Sequence, residues 1–374
     1  MRLQTMNDIA SSPVPESGRF AAARKVLEDA IASRAFPGCA FGVLAGGEVL
    51  LNGALGRFTY EDDALPVAPE TVFDVASLTK VLATTAMAML LHARGLLDLE
   101  MPAGEVLPGF VTGPQAGDRA RMVTLRHLLA HSSGLPGYVE LFRTAATPEA
   151  LLQACLGLPL EAEPGARAEY SDPGFILLGK ALEAIAGEPL DRWTRREIFD
   201  PLGMKATGFC PPAELRNNIP PTEVDASFRR ALIQGEVQDE NAWVLQGVSG
   251  HAGVFSNVPE ILRFAYAVLG AGSSIGPGLF DAATVERFAQ RQPPASSSRA
   301  IGWDTPSENS SSGKYFSRNS IGHLGYSGCS LWIDRDSELA VVLLTNRTWP
   351  DRSCQLIRQV RPAFHDALRE ALKS

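Results

Sequence analysis

No stretch of this sequence reaches the roughly 18 uninterrupted apolar residues that a membrane-spanning helix needs. Positive charge is not in excess either. The 34 Lys and Arg are outnumbered by 42 Asp and Glu, for a net charge of −8, and no basic run offers a footprint for nucleic acid. Cysteine is sparse: Cys39, Cys155, Cys210, Cys329 and Cys354 are an odd number without C-x-x-C spacing. That pattern points to buried free thiols and away from a disulfide framework or a metal site. Residues 1–17 lack the apolar core of a signal peptide and, with Pro13 and Pro15, are expected to form a flexible leading segment. The chain is therefore expected in the cytoplasm, or in the periplasm if an exported precursor has been trimmed. No internal repeat is visible, and no cofactor is expected.

What is present is enough for a large core. The 374 residues are 45% hydrophobic and 20% charged, ordinary values for a folded chain of about two structural units. Residues 18–34 repeat at helical spacing and stop before Pro37-Gly38. Cys39–Leu44 and Val49–Leu51 read as strands joined through Ala45-Gly46-Gly47. From about residue 96 to 245 the pattern is helices and long loops, with helices at Val123–Ala130, Pro148–Leu156, Pro173–Ala186 and Trp193–Phe199 and a loop-rich 201–240. A further helix covers Val258–Leu269. Strands return at Ile321–Tyr326, Ser330–Ile333 and Leu339–Leu344, and a last helix covers Ser353–Leu372. The expected architecture is an α+β sandwich domain from 18–95 and 246–374, holding one antiparallel sheet built from both termini, with a helical domain from 96–245 to one side.

The chemistry starts at Asp74-Val75-Ala76-Ser77-Leu78-Thr79-Lys80. Three-residue spacing in a helix puts the Ser77 hydroxyl and the Lys80 amine on one face, a turn apart. The run that follows, through Leu91, is apolar nearly all round, so Lys80 should be buried. Burial lowers an amine pKa and would let it act as base toward serine. A bare S-x-x-K is expected about once by chance at this length. Ser311-Ser312-Gly313-Lys314 is a second one, in a polar run that cannot be a buried helix.

Tyr170-Ser171-Asp172 precedes a helix beginning at Pro173. A phenol near Ser77 could pass protons if its pKa of about 10 were lowered by cations. Asp172 reads equally as a helix N-cap before Pro at the first helical position. His323-Leu324-Gly325-Tyr326 lies on a strand whose edge could present N–H groups to a substrate carbonyl, among glycines that permit close approach. Three other patterns carry less. Gly272-Ser273-Ser274-Ile275-Gly276 spells a nucleophile elbow but does not lie between strand and helix. His127 and His131 have zinc-pair spacing without a third ligand. His251, among glycines, either borders the cleft or serves a turn.

The ordered set Ser77-Leu78-Thr79-Lys80, Tyr170-Ser171-Asp172 and His323-Leu324-Gly325 resembles the penicillin-recognising serine hydrolases. The nearest groups are the class C β-lactamases, low-molecular-weight D,D-peptidases and family VIII carboxylesterases. Leu128–Leu135, Gly247–Gly253 and Gly325-Tyr326-Ser327-Gly328 resemble the same group, and the similarity spans roughly residues 20–370. It implies a β-lactamase/transpeptidase-like fold with a five-stranded antiparallel sheet, a helical domain, and a site between them. It further implies an acyl-enzyme on Ser77, with Lys80 and Tyr170 managing protons and the N–H groups of Ser77 and Tyr326 binding the oxyanion. His323, Gly325 and Asp172 would meet the substrate: a small ester, amide or β-lactam, turned over by a monomer or weak homodimer. Two departures stand out. Many members have Asn where this chain has Asp172, which offers no N–H when ionised. Many have Lys at the place of His323, and an unperturbed histidine is only about one-quarter protonated at pH 7. With Leu324 in place of a hydroxyl residue, these changes tilt the expectation from penicillins toward esters or small amides. A D,D-peptidase, a β-lactamase or a penicillin-binding sensor that deacylates poorly remains the alternative.

Overall fold

A computed structural model describes residues 18–113, 117–272 and 278–373. The expected flexible segment 1–17 and residues 273–276 of the nucleophile-elbow string lie outside the described residues. Ten strands occur among them: β1 Gly38–Ala45, β2 Glu48–Gly56, β3 Phe73–Asp74, β4 Gly208–Phe209, β5 Glu223–Asp225, β6 Ala231–Ile233, β7 Val254–Ser256, β8 Ile321–Leu324, β9 Ser330–Asp334 and β10 Leu339–Thr345. Five form the main antiparallel sheet in the order β2-β1-β10-β9-β8. It is assembled from both ends of the chain, as the sequence implied.

Strand periodicity explains how this sheet fills both its faces. Alternate side chains point to opposite sides. Phe41, Val43, Val341 and Leu343 pack with Leu27, Phe364 and Leu368 of the two terminal helices, Ala21–Ala32 and Ile357–Lys373. Their neighbours Ala40, Leu44, Val342 and Leu344 join the larger core with Leu82, Met87, Val258 and Leu262. Both faces are covered, so β1 and β10 read as nearly continuous apolar runs. Strand β2 extends well beyond the expected Val49–Leu51. Gly53, which would ordinarily break a strand, leaves room there for the Phe41 ring.

The run after Ser77 is helical but not one regular helix. A 3₁₀ turn at Ala76–Leu78 leads into a π-helical segment, Lys80–Thr85, and then an α-helix, Ala86–Ala93. The stretch Ala76–Ala93 has the length and hydropathy to cross a membrane, but 83% of it is buried inside the protein; it is the central core helix. A second sheet, β3-β7-β4, sets Val254–Ser256 between the residues just before Ser77 and Gly208–Phe209. The loop-rich stretch 201–240 holds the β5–β6 hairpin. Neither is legible in sequence, since strands of two or three residues carry too little periodicity.

Two cysteines depart from expectation. Cys39, Cys155 and Cys329 are buried, but Cys210 is exposed and Cys354 partly so. The second S-x-x-K lies in a turn beside the last helix, where the Lys314 N–H donates to Asp366.

Strand β8 stops at Leu324, and the turn 325–328 folds back onto the segment leading to Ser77. A Cβ at Gly325 would run into the Val75 carbonyl oxygen and lie 3.1 Å from the Cys329 Cβ. Gly325→Ala is therefore expected to destabilise the protein by about 1–3 kcal/mol, read as a lower denaturant midpoint. An unchanged midpoint would contradict this packing.

Candidate active site

The turn that carries Ser77 is held from below. Ala76 adopts φ +48°, a conformation that L residues seldom take, and its N–H donates to Asp74 Oδ1 at 2.8 Å. Asp74 Oδ2 accepts the Gln238 N–H at 2.7 Å, and the Asp74 carbonyl accepts the Ser327 hydroxyl at 2.8 Å. One buried residue thus ties the nucleophile turn to two other segments that line the cleft. Burial pushes its carboxyl up to about 6 against the pull of those two N–H groups.

Around Ser77 the three expected groups meet. Lys80 Nζ donates to Ser77 Oγ at 3.1 Å, to Asp172 Oδ1 at 2.7 Å and to the His251 carbonyl at 3.0 Å. The Tyr170 hydroxyl lies 2.7 Å from Ser77 Oγ. Lys80 has no exposed surface, as its apolar context required, yet the consequence for its charge is the reverse of expectation. Burial, the largest single influence, pulls the amine down, but the Asp172 carboxylate and Tyr170 together outweigh it and raise it above the usual lysine value. All three ammonium protons have acceptors. Tyr170 is not lowered either: burial pushes its phenol up, only partly opposed by Lys80. The resting site therefore holds an ammonium and a neutral phenol.

Asp172 needs a correction as a helix cap. The helix Asp172–Ala186 is capped by Ser171, whose Oγ accepts the Gly174 N–H at 3.0 Å. Asp172 stands at the first helical position on the cleft wall, where its Oδ1 pairs with Lys80. His323 is likewise corrected. It is 2% exposed, and Nδ1 lies 2.8 Å from its own neighbour's carbonyl, Leu324 O. That carbonyl can only accept, so Nδ1 carries the proton and Nε2, which has no partner, is a bare acceptor. Burial, then the charges of Lys80 and Arg299, hold it well below the usual histidine range. A neutral imidazole cannot hold a carboxylate as a cation would.

His131 is not half of a zinc pair. Its ring stacks on Tyr170 at 4.7 Å and on Phe175 at 4.8 Å, and Nδ1 accepts the Ser171 N–H at 2.9 Å. It props the phenol from behind. His127 forms a capping box with Thr124. His251 is buried behind the cleft residue Asp239: besides its carbonyl contact to Lys80, its ring bridges Ser249 Oγ and Asp239 Oδ1, each at 2.8 Å. Burial works against ionisation of Asp239, but His251 and the Ala242 N–H outweigh it and hold the carboxyl at about 2. The glycines flanking His251 were its only sequence signal; Asp239 and Arg299 had none.

Opposite Tyr170, the turn 325–328 presents Tyr326. Within the described residues neither the Ser77 nor the Tyr326 N–H has a hydrogen-bond partner, which suits both to a developing oxyanion. Gly325 lines the cleft, with its backbone groups committed to the protein. Its N–H donates to the Cys329 carbonyl at 2.7 Å, and its own carbonyl accepts from Gly328 N and Arg361 Nη2. Arg361, buried and lowered to about 10 by that burial, also donates to the carbonyls of Gly328 and Cys329. These groups surround an open cleft of about 670 Å³, whose other lining residues include Tyr138, Asp239, Arg299 and Arg358.

Fold and cleft together define a serine hydrolase built on the β-lactamase scaffold. The Beta-lactamase family profile matches residues 23–363, and the chain belongs to that family. Among curated relatives it is 31% identical over 353 residues to the N-acetylmuramyl-L-alanine amidase of Bacillus subtilis, covering 83% of this chain and 77% of that protein. It is 31% identical over 303 residues to a putative D-alanyl-D-alanine carboxypeptidase of Salmonella typhi, covering 74% and 69%. Among solved structures, EstCE1, described as a hydrolase with promiscuous acyltransferase activity, superposes with TM-score 0.74 at 22% identity over 93% of this chain and 98% of its own. A penicillin-binding protein homologue from Caulobacter crescentus gives 0.75 at 20% identity over 97% and 98%. At such identities the two structures speak to the fold alone.

The buried imidazoles set a pH dependence of stability. Burial holds His131 and His323 well below 6.5 and His365 at about 4. As pH falls through 6.5 the unfolded chain takes up protons that these three refuse when folded, so stability falls. Asp74 acts oppositely. Folded, it binds a proton near pH 6 that the unfolded chain does not yet bind, and so returns stability. His127, lowered by burial, adds to the three rings, and Glu240, raised by burial, adds to Asp74; with four groups against two, the denaturant midpoint should be lower at pH 5 than at pH 7.5. An equal or higher midpoint at pH 5 would contradict the neutral burial of these rings.

Proposed function

We propose that the protein hydrolyses small esters or amides through an acyl-enzyme on Ser77. The observation that carries this reading is the double contact on Ser77 Oγ: an ammonium at 3.1 Å and a phenol at 2.7 Å, in a cleft open to a small molecule. Ser77 attacks the carbonyl carbon, and the N–H groups of Ser77 and Tyr326 take the oxyanion. As Tyr170 accepts the Ser77 proton it gives its own to the leaving atom, so the phenol never has to carry a full negative charge. That suits a raised phenol pKa. Lys80, kept an ammonium by Asp172, steadies the negative charge shared by the serine and tyrosine oxygens during the transfer. Water then repeats the sequence in reverse and frees the acid.

The relatives' names, an amidase and a putative carboxypeptidase, support an amide or peptide as readily as an ester. Asp172 and His323 favour neutral acyl groups, since neither offers a cation to the ligand.

A short-chain p-nitrophenyl ester assayed with the wild type and Ser77→Ala tests the nucleophile. Steady turnover, lost in the mutant together with the acyl adduct seen by intact-protein mass, is expected. Turnover that survives Ser77→Ala would overturn the reading. Tyr170→Phe should lower kcat by about 10²-fold or more, and an unchanged kcat would remove the phenol from the proton path.

A further inference from the structure

We infer that the buried guanidinium groups of Arg347 and Arg361 form a site for a small inorganic oxyanion, phosphate or sulfate, beside the turn that carries Tyr326. Both side chains grip that turn. Arg347 Nε donates to the Tyr326 carbonyl at 2.8 Å, and its Nη1 to the carbonyls of Arg352 and Cys354 at 3.3 and 3.0 Å. Arg361 Nε donates to the Gly328 carbonyl at 3.1 Å, and its Nη2 to those of Gly325 and Cys329 at 2.6 and 2.8 Å. The Arg347 guanidinium carbon stands 4.3 Å from the centre of the Tyr326 ring. Gly328 makes room for the Arg347 stem, since a Cβ there would lie 2.8 Å from Arg347 Cγ.

What the pair lacks is a counter-ion. Arg347 is 4% and Arg361 6% exposed, and within the described residues neither pairs with a carboxylate. Backbone carbonyls satisfy N–H groups but bring no net negative charge, so two like charges stand buried together, a costly arrangement. Burial lowers Arg361 to about 10, and the charge of Arg347 works in the same direction. Each guanidinium also keeps one amino group unmatched within the described residues: Nη2 of Arg347 and Nη1 of Arg361. Both residues line the cleft, and neither nitrogen is sealed inside the protein. The two amino groups carry four N–H donors between them. A tetrahedral oxyanion has the charge to balance the pair and the oxygens to accept those donors.

The other arginines on the cleft wall are placed differently. Arg352 is paired with Glu223 and Glu240, Arg299 has Asp304 Oδ2 3.7 Å away, and Arg358 is exposed. An anion held by Arg347 and Arg361 steadies the two side chains that steady the turn, and with it the Tyr326 N–H. Its effect on rate rests on the oxyanion role proposed for that N–H; its binding does not.

The test is a calorimetric titration with sodium phosphate at pH 7.5 and fixed ionic strength, on wild type, Arg361→Gln, Arg361→Lys, Arg299→Gln and Arg358→Gln. One saturable site per chain is expected in the wild type. Affinity should fall about tenfold or more in Arg361→Gln, fall less in Arg361→Lys, and hold in the other two. Heats that do not saturate in the wild type overturn the inference whether or not the variants fold. So does binding that folded Arg361→Gln leaves intact, or that Arg299→Gln or Arg358→Gln abolishes. The kcat for p-nitrophenyl acetate, corrected for the enzyme-free blank, should rise along the same saturation curve. A filled site with an unmoved kcat overturns its link to the turn. Ester turnover that survives Ser77→Ala removes the parent reading and leaves the calorimetric result standing.

Discussion

A lysine with no surface in contact with water, 2.7 Å from a carboxylate, governs the electrostatics of this cleft. Removing an ammonium from water is costly, and the position is tolerable only because Asp172, the His251 carbonyl and Ser77 accept its three protons. The same pair decides which proton-transfer scheme is open. An isolated buried lysine would tend toward the free amine and could act as base. This one, paired, stays charged, and in the proposed mechanism the work of moving the proton passes to Tyr170. The His251 loop and the 172 helix end are thereby bound to the nucleophile turn.

Those segments are kept in register by groups hydrogen-bonded to the protein itself. Asp74 stitches the strained Ala76 turn to Gln238 and to Ser327, while Arg361 fixes three carbonyls of the turn behind Tyr326. Gly325 sets how closely that turn approaches Val75. The two N–H groups proposed to bind the oxyanion come from distant parts of the chain, and these contacts supply the rigidity that a preorganised site requires. His131 does the same for the phenol by stacking beneath it.

Much of this was legible in the sequence wherever the signal was periodic. The terminal helices, β1, β9, β10 and the apolar run after Ser77 each carry enough repeats to declare their type, and the ordered Ser-x-x-Lys, Tyr-Ser-Asp and His-Leu-Gly segments located the cleft. Charge states were not legible. Lys80 was expected to lose its proton by burial, and the opposing carboxylate lies 92 residues away. His323 was read as an unperturbed, partly protonated histidine because nothing local shows that it is buried or that the Leu324 carbonyl occupies Nδ1. Asp172 was read as the cap because Asp-Pro and Ser-Asp-Pro satisfy the same rule one position apart, and only the backbone shows which serves. Arg299 sits in a Ser-rich loop with no pattern at all.

The account depends on Lys80 being an ammonium at rest, and the Lys80 side chain can be observed directly. With the lysines labelled at ¹³Cε and ¹⁵Nζ and the Lys80 signal assigned by its loss in Lys80→Arg, an NMR titration should show it protonated from pH 6 to beyond the usual lysine pKa of about 10.4. The signal should titrate at lower pH in Asp172→Asn. A wild-type Lys80 that loses its proton near neutral pH would contradict the account and return the role of base to the amine.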